Sequence, residues 1–415
     1  MSTNSSEKII IVGAGIAGLR TALNLKKKYP QSNINILEKY AQPGGRMETI
    51  FINNDTHYES GAGRIHSSHK TLLKLIKKYK LTTTKLPDES YWKTPESNLK
   101  PNGFFSIWHE LCVLFKQLPE KTLQIQTLRY LTIEMLGVEL AKKILDTYPY
   151  RAEIEVMSAK SALDMFEQLS TGFFCILNEG FTKLVEHLTT DAKKNGIKFE
   201  FNQNINRIIY NKSTDTYSIQ GTRENSLITH SANRVILAVH KNALEKIYPF
   251  SPVDPLLQKI RMEPLLRIYS KYKDSSWFPD KNVITDTPLR FIIPVNKTKG
   301  LIMSSYLDSR DIEPWEDLYK KSQVEKLKEK IHNETQNLFP ETFIRMAEFT
   351  KAYYWKDGCS YWLPGDYDYK IVSKECHNPY PHEFPRLHLV GESFSKKQQW
   401  IEGALEHADE LVYKI

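Results

Sequence analysis

Cysteine is scarce in this chain, with 4 among 415 residues. Cys112, Cys175, Cys359 and Cys376 lie far apart and form no C-x-x-C pair, so the spacings of a zinc site or a redox dithiol are missing; reduced cysteines and no metal are expected. Long apolar runs are also missing. The richest stretch, 104–118, is interrupted by His109, Glu110, Lys116 and Gln117, which fits a buried or amphipathic helix and not a membrane span. Residues 1–7 carry neither the basic nor the apolar region of a secretory signal, so a soluble, cytoplasmic protein with no membrane partner is expected. A basic tract is absent too. The net charge is +8, yet the lysines are scattered, as in Lys26-Lys27-Lys28 and Lys77-Lys78, so they fit solvated helix faces and no nucleic-acid partner is expected. There is no internal repeat and no low-complexity segment.

What the chain does have is a dinucleotide-binding unit near its start. Gly13, Gly15 and Gly18 follow the β-branched run 9–12 and open a helix. In that context Gly13 allows the tight turn, Gly15 the close approach of a pyrophosphate, and Gly18 the packing of helix on strand. A pyrophosphate would sit on the helix N-terminus, where free N–H groups and the dipole favour an anion. Glu38 ends the next strand, 20 residues after Gly18. A carboxylate there accepts hydrogen bonds from ribose hydroxyls and repels a 2′-phosphate, which favours FAD or NAD over NADP.

At 415 residues the chain exceeds what one core usually holds, so a second domain is expected. Glycines cluster again at Pro43-Gly44-Gly45-Arg46 and in Glu59-Ser60-Gly61-Ala62-Gly63-Arg64-Ile65-His66, as where backbone presses against a flat ligand. Apolar residues at 72, 73, 75, 76 and 79 predict a helix over 70–81, and a largely helical stretch continues to about 169. Short strands are predicted at 197–201, 205–210 and 217–220. The run 234–239 reads as a strand buried on both faces of a parallel sheet. Strands at 265–272 and 300–307, a charged helix over 313–338, a strand at 387–392 ending in Gly391-Glu392 and a helix over 400–413 complete the chain. The expected class is α/β: a Rossmann-like cofactor domain from 1–70, 175–250 and 385–415, interleaved with an α+β substrate domain from 71–174 and 251–384.

Taken in order, these segments resemble the FAD-dependent amine oxidases, the family of monoamine and polyamine oxidases. Gly45-Arg46 is similar to its Gly-Gly-Arg along the FAD phosphates and flavin edge. The segment 59–66, with Gly61, Ala62, Gly63 and Arg64, resembles the stretch beneath the flavin. Ile205 stands where a backbone meets the adenine, and Gly391-Glu392 with Trp400, Ile401 and Ala404 resembles the closing signature over the ribityl chain and pyrimidine. Together with Gly13, Gly15, Ala17, Gly18 and Glu38, these are the cofactor-binding positions the resemblance implies, and FAD is the cofactor.

The resemblance also implies an activity: hydride transfer from the carbon beside an amine nitrogen to the flavin, with O2 as acceptor and a primary amine or polyamine as substrate. The aromatic walls of the substrate cavity would be Trp400 and Tyr361, with Trp362 as second choice. His66 would face the amine as a hydrogen-bonding group or proton acceptor. Cys359 resembles the cysteine that bonds the flavin in monoamine oxidases, but its loop is shorter, which argues for a free thiol. Where the family has a lysine near flavin N5, this chain has Arg267, with Lys271 on the same strand face as the alternative. That departure leaves room for a flavin desaturase or dehydrogenase using another acceptor, or for an FAD-bound protein with little turnover. Glu89, Glu167 and Glu179 are the acidic candidates for a polyamine's distal ammonium.

Overall fold

The computed structural model describes residues 7–53, 55–87, 90–101 and 104–415. The reading of residues 1–6, and Glu89, lie outside them. A parallel sheet runs in the order Lys198–Glu200, Asn33–Leu37, Lys8–Val12, Arg234–Leu237, Leu387–Leu389. Ile10 pairs with Asn35 on one side and Val235 on the other, and Ile236 with His388 at the far edge. Period-two alternation divides each strand between two cores. Ile9, Ile11, Ile34, Ile36 and Ile236 pack under the helices Ile16–Lys28, Phe181–Lys194 and Ile401–Lys414. Ile10, Val12, Leu37, Val235 and Leu237 pack on the opposite side, where they meet Ile208, Tyr217 and Ile219 of a three-stranded antiparallel sheet. That is why 234–237 is apolar at three successive positions: both faces are covered. Burying each such side chain contributes about 1.5–3 kcal/mol, so the central strand anchors the glycine loop that follows it.

A second, seven-stranded sheet carries the other wall of the site. Its long strands Ile260–Lys271 and Phe349–Trp362 pair antiparallel, and Ile260–Lys271 pairs on its other side with Leu301–Asp308. Helices from Phe104–Phe115 to Ala159–Leu169 form a separate apolar cluster beside it.

Several elements differ from the sequence expectation. The helix predicted over 70–81 is Lys70–Lys78, and the helical stretch expected to follow is preceded by short strands at Thr83–Lys85, Ser90–Trp92 and Lys100–Pro101. The charged helix over 313–338 is broken: Pro314 lies in a 3-10 turn, Glu316–Lys320 stops, and Ser322 takes a φ of 50° before Val324–Leu338 begins. Strands Ser226–Ala232 and Phe349–Trp362 were not expected. The first is a polar edge strand, and in the second Lys356, Asp357 and Gly358 interrupt the apolar alternation.

Candidate active site

The glycine loop joins Lys8–Val12 to the helix Ile16–Lys28, and its glycines serve two different purposes. A Cβ on Gly18 would stand 2.0 Å from the Gly13 carbonyl oxygen, so this glycine is required by packing. A Cβ on Gly15 would meet nothing within 4 Å. Gly15 is the helix N-cap and no side chain caps it among the described residues, so the first-turn N–H groups face open space. Gly44 bridges to Gly15, and beside Ala17 a Cβ on Gly391 would come no nearer than 4.0 Å to that alanine. A groove lined by Gly15, Gly45, Ala17 and Gly391 is therefore kept clear of side chains, as a diphosphate requires. Glu38 is buried at its end. One carboxylate oxygen accepts from the Ala14 amide at 2.7 Å and the other from the Tyr40 amide at 2.9 Å, which fixes the carboxylate and leaves lone pairs for ribose hydroxyls.

The next part of the site is tied together by one buried carboxylate. Glu392 accepts from Arg46 Nη2 (2.8 Å), Ser360 Oγ (3.0 Å), the Ser360 amide (3.1 Å) and the Gln399 amide (2.6 Å). Arg46 also donates to the Gly358 carbonyl at 2.8 Å. Burial works against the Arg46 charge and the Glu392 carboxylate overcomes it, so the guanidinium is held above its ordinary value. Cys359 lies alongside. Burial, aided by Glu392, pushes its thiol up to about 12, so at neutral pH it is a thiol and a poor nucleophile. Gly61 and Ala62 bring the segment 59–66 against the Arg46 carbonyl, which accepts from the Ala62 amide at 2.9 Å.

Beyond this knot a cavity of about 70 Å³ opens against the seven-stranded sheet, lined by Glu59, Gly63, Arg64, Arg267, Tyr269 and Tyr306 together with Ile176, Leu177, Ile293, Val295 and Met303. Strand register sets Arg267 opposite Tyr306, and its guanidinium lies 4.7 Å from that ring's centroid. Nη1 donates to the Glu59 carbonyl at 3.1 Å and Nη2 reaches the Tyr306 hydroxyl at 3.4 Å, while Nε is buried with no partner among the described residues. Arg64 donates to the Tyr150 hydroxyl at 2.6 Å and lies 5.3 Å from the ring of Phe174, 5.5 Å from that of Tyr150 and 5.8 Å from that of Tyr306. Each such cation–π contact contributes about 0.5–2 kcal/mol and holds the guanidinium in place. Burial pushes the Glu59 carboxyl up to about 8, and its oxygens are engaged by Thr49 and the Phe181 amide.

Phe174 divides this cavity from a smaller one lined by His69, Met157, Leu169 and Trp400. Trp400 stacks on Phe174 at 5.9 Å and tilts against His69 at 4.9 Å, and its Nε1 is buried without a partner among the described residues. His66 meets Phe174 edge-on at 4.9 Å. The Ser68 amide donates to His66 Nδ1 at 3.2 Å, which assigns the ring proton to Nε2. Burial holds this imidazole below its ordinary value, so His66 presents a neutral donor.

The structure thus places Arg64 and Arg267 on the wall of the larger cavity and Trp400 on that of the smaller one, sets His66 against Phe174 without lining either cavity, and draws other candidates away. Tyr361 is buried in the core of the helical cluster, and Trp362 points to the opposite side of its strand, donating to the Ser395 carbonyl at 3.0 Å; neither lines the two cavities. Lys271 pairs with Glu348 at 2.5 Å at the end of the sheet, so it does not replace Arg267. The side chain of Ile205 is buried on its strand opposite Gly221, and those of Ile401 and Ala404 pack into the core below the parallel sheet, so these three would meet a cofactor through backbone alone. Glu167 pairs with Lys116 on the surface and Glu179 accepts from Thr82, so neither supplies an acid to the cavity. Sequence reasoning missed Tyr150, Phe174, Tyr269 and Tyr306. Alternation along 265–271, which puts Tyr269 on the same strand face as Arg267, is the available signal for Tyr269; the strand 301–308 is buried at every position and does not single out Tyr306.

A sequence model described as flavin containing amine oxidoreductase matches residues 16–100 and 139–411. An L-amino-acid oxidase of Crotalus adamanteus is 23% identical over 332 residues, which is 70% of this chain and 63% of that protein. An L-amino-acid oxidase of Mus musculus is 36% identical over 106 residues, 25% of this chain and 16% of that protein. The chain therefore matches less than two thirds of the length of these curated relatives. Among solved structures, a putrescine oxidase bound to putrescine superimposes with a TM-score of 0.75 at 15% identity, covering 99% of this chain and 98% of that one. At that identity the likeness is one of fold. Among the described residues no helix is long and apolar enough to cross a membrane.

Proposed function

Because this chain belongs to the flavin containing amine oxidoreductases, a family of FAD-dependent enzymes, we propose that it oxidises an amine that carries a carboxylate. When bound, FAD supplies a two-electron acceptor for the hydride on the carbon bearing the amine nitrogen. Gly15, Ala17, Gly45 and Gly391 would border its diphosphate, Glu38 its ribose, and Arg46 with Glu392 the flavin edge. The parallel-sheet segments would form the cofactor domain and the remainder the substrate domain.

The residues of the cavity would do the rest. The observation that carries this reading is Arg64, which the resemblance counts among the cofactor-binding positions and which is here a permanent cation ordered by three rings at the cavity wall. A guanidinium there orients a carboxylate through paired hydrogen bonds, and with the acid end fixed, the amine-bearing carbon is presented in one pose. Two arginines in the cavity repel a polyamine's second ammonium, which argues against that substrate. Trp400 and Phe174 would exclude water from the reacting carbon. His66 would donate Nε2–H to a substrate heteroatom, a role for which a proton-accepting nitrogen is not needed. The imine formed would hydrolyse in water, and O2 is the proposed electron acceptor, reduced to hydrogen peroxide.

One observation favours a second acceptor. Arg267 stands where the resemblance has lysine, and a guanidinium engaged by Glu59 and Tyr306 cannot hold a water as a compact ammonium does. A panel of amino acids, monoamines and diamines tests both points: anaerobic flavin bleaching by amino acids with peroxide on aeration is the expected result. Bleaching without peroxide means another acceptor, and bleaching by diamines alone overturns the carboxylate.

A further inference from the structure

The cavity holds two guanidiniums, and a single carboxylate uses only one of them. We propose that the natural substrate is an acidic amino acid, an amine with two carboxylates, of which Arg64 holds one and Arg267 the other. This rests on the amine-oxidation reading and narrows its substrate class.

Three observations support it. First, both guanidiniums address one space: their centres lie 5.8 and 4.7 Å from the centroid of the same ring, Tyr306. Second, no resident anion balances them. Glu59 is the one carboxyl group among the cavity's lining residues; its oxygens are engaged by Thr49 and the Phe181 amide, and burial keeps it largely protonated at neutral pH. Two desolvated cations without counter-charge are costly, and a ligand of two negative charges removes that cost. Third, donors remain unused. Arg267 is 4% exposed, its Nε has no partner among the described residues, and its contact with the Tyr306 hydroxyl is long. The apolar residues Ile176, Leu177, Ile293 and Met303 are suited to the short methylene chain between the two acid groups.

The test uses the FAD-loaded protein and two readouts. By calorimetry, glutarate is expected to bind at least tenfold more tightly than butyrate, and putrescine not at all. In anaerobic reduction, L-glutamate or L-aspartate is expected to outperform L-leucine in kcat/KM. Arg267→Gln should lower kcat/KM for the acidic amino acid at least tenfold more than that for L-leucine, and Arg267→Lys should restore part of the difference. Equal binding of butyrate and glutarate overturns the proposal, as does an equal loss on all substrates in Arg267→Gln. If no amino acid reduces the flavin, the reading of a carboxylate-bearing amine as substrate fails, and the glutarate-to-butyrate ratio in the unmodified protein still decides whether two carboxylates are recognised.

Discussion

The two ends of the site are made of different material. At the phosphate end the chain offers backbone: amides at the start of a helix, glycines that keep a groove clear, and one carboxylate pinned by two amides. At the cavity end it offers side chains, with two guanidiniums stacked among tyrosines and a phenylalanine. Backbone amides bind an anion whatever the neighbouring side chains are, so the first end is expected to govern how tightly FAD is held. Guanidiniums and rings discriminate between small molecules, so the second should govern which substrate reacts and how fast.

The largest effect that sharpens this contrast is expected from Gly15→Val. Because a Cβ there meets nothing within 4 Å, the apoprotein should fold and melt within a few degrees of the parent, yet lose FAD affinity by 1,000-fold or more. Flavin absorbance after gel filtration, with circular dichroism, checks both halves; a yellow variant removes the phosphate from this groove. Next is Trp400→Ala, which should slow anaerobic reduction about tenfold with FAD still bound, since it removes a wall of the cavity and no phosphate contact. Unchanged reduction rates in stopped flow return Trp400 to a packing role. Arg267→Lys is expected to speed reoxidation of the reduced flavin by O2 a few-fold, and an unaltered or slower rate means the guanidinium is not what limits oxygen. The smallest effect is at Cys359: acid precipitation should leave the flavin in the supernatant, since the buried thiol is held far from thiolate. Flavin in the pellet breaks that expectation.

Stability should also depend on pH in a way set by the cavity side. Glu59 and Glu153 are pushed up to about 8 and Asp308 to about 7 by burial. Their folded values exceed the unfolded ones, so the folded state binds more protons between about pH 4.5 and 8. This stabilisation is complete below the unfolded values and is lost as pH rises through 7 to 8. The buried His69 is lowered to about 3, His377 and His388 to about 4, and His407 well below its ordinary value, all mainly by burial; these four outweigh the three carboxyls below pH 6.5, and their contribution is present above the unfolded value near 6.5 and is lost as pH falls toward 4. The melting temperature is therefore expected to peak near pH 6–7 and fall on both sides; a rise from pH 7 to 9 contradicts the assignment. Glu153→Gln should flatten the alkaline fall.

The contrast between the two ends also explains what could be read from the chain. Gly13, Gly15, Gly18 and Glu38 lie within 26 residues, and a backbone-built site of this kind leaves its pattern in contiguous sequence. The parallel strands were legible for the same reason, because burial on both faces makes a run such as 235–237 apolar throughout. Arg267 and Glu59, by contrast, are 208 residues apart, lie in different sheets and meet only where those sheets pack. Tyr361 carried the aromatic signature expected of a cavity wall, but strand alternation turns it into the helical core. The strand Phe349–Trp362 escaped notice because polar residues interrupt its pattern on an exposed stretch. Side-chain sites depend on register and crossing distance, which no local window contains.

Glu392 and the edge strand Leu387–Leu389 are made more than 370 residues after Gly13, where the groove they complete begins. At 5–20 residues per second, roughly 20–75 s separate the emergence of those two parts from the ribosome. During that interval the apolar strand 9–12 has neither its full sheet nor the helix Ile401–Lys414 above it, and the nascent chain must be shielded from its neighbours. Flavin capture by the complete groove is consequently expected only after Gly391 and Glu392 have been made.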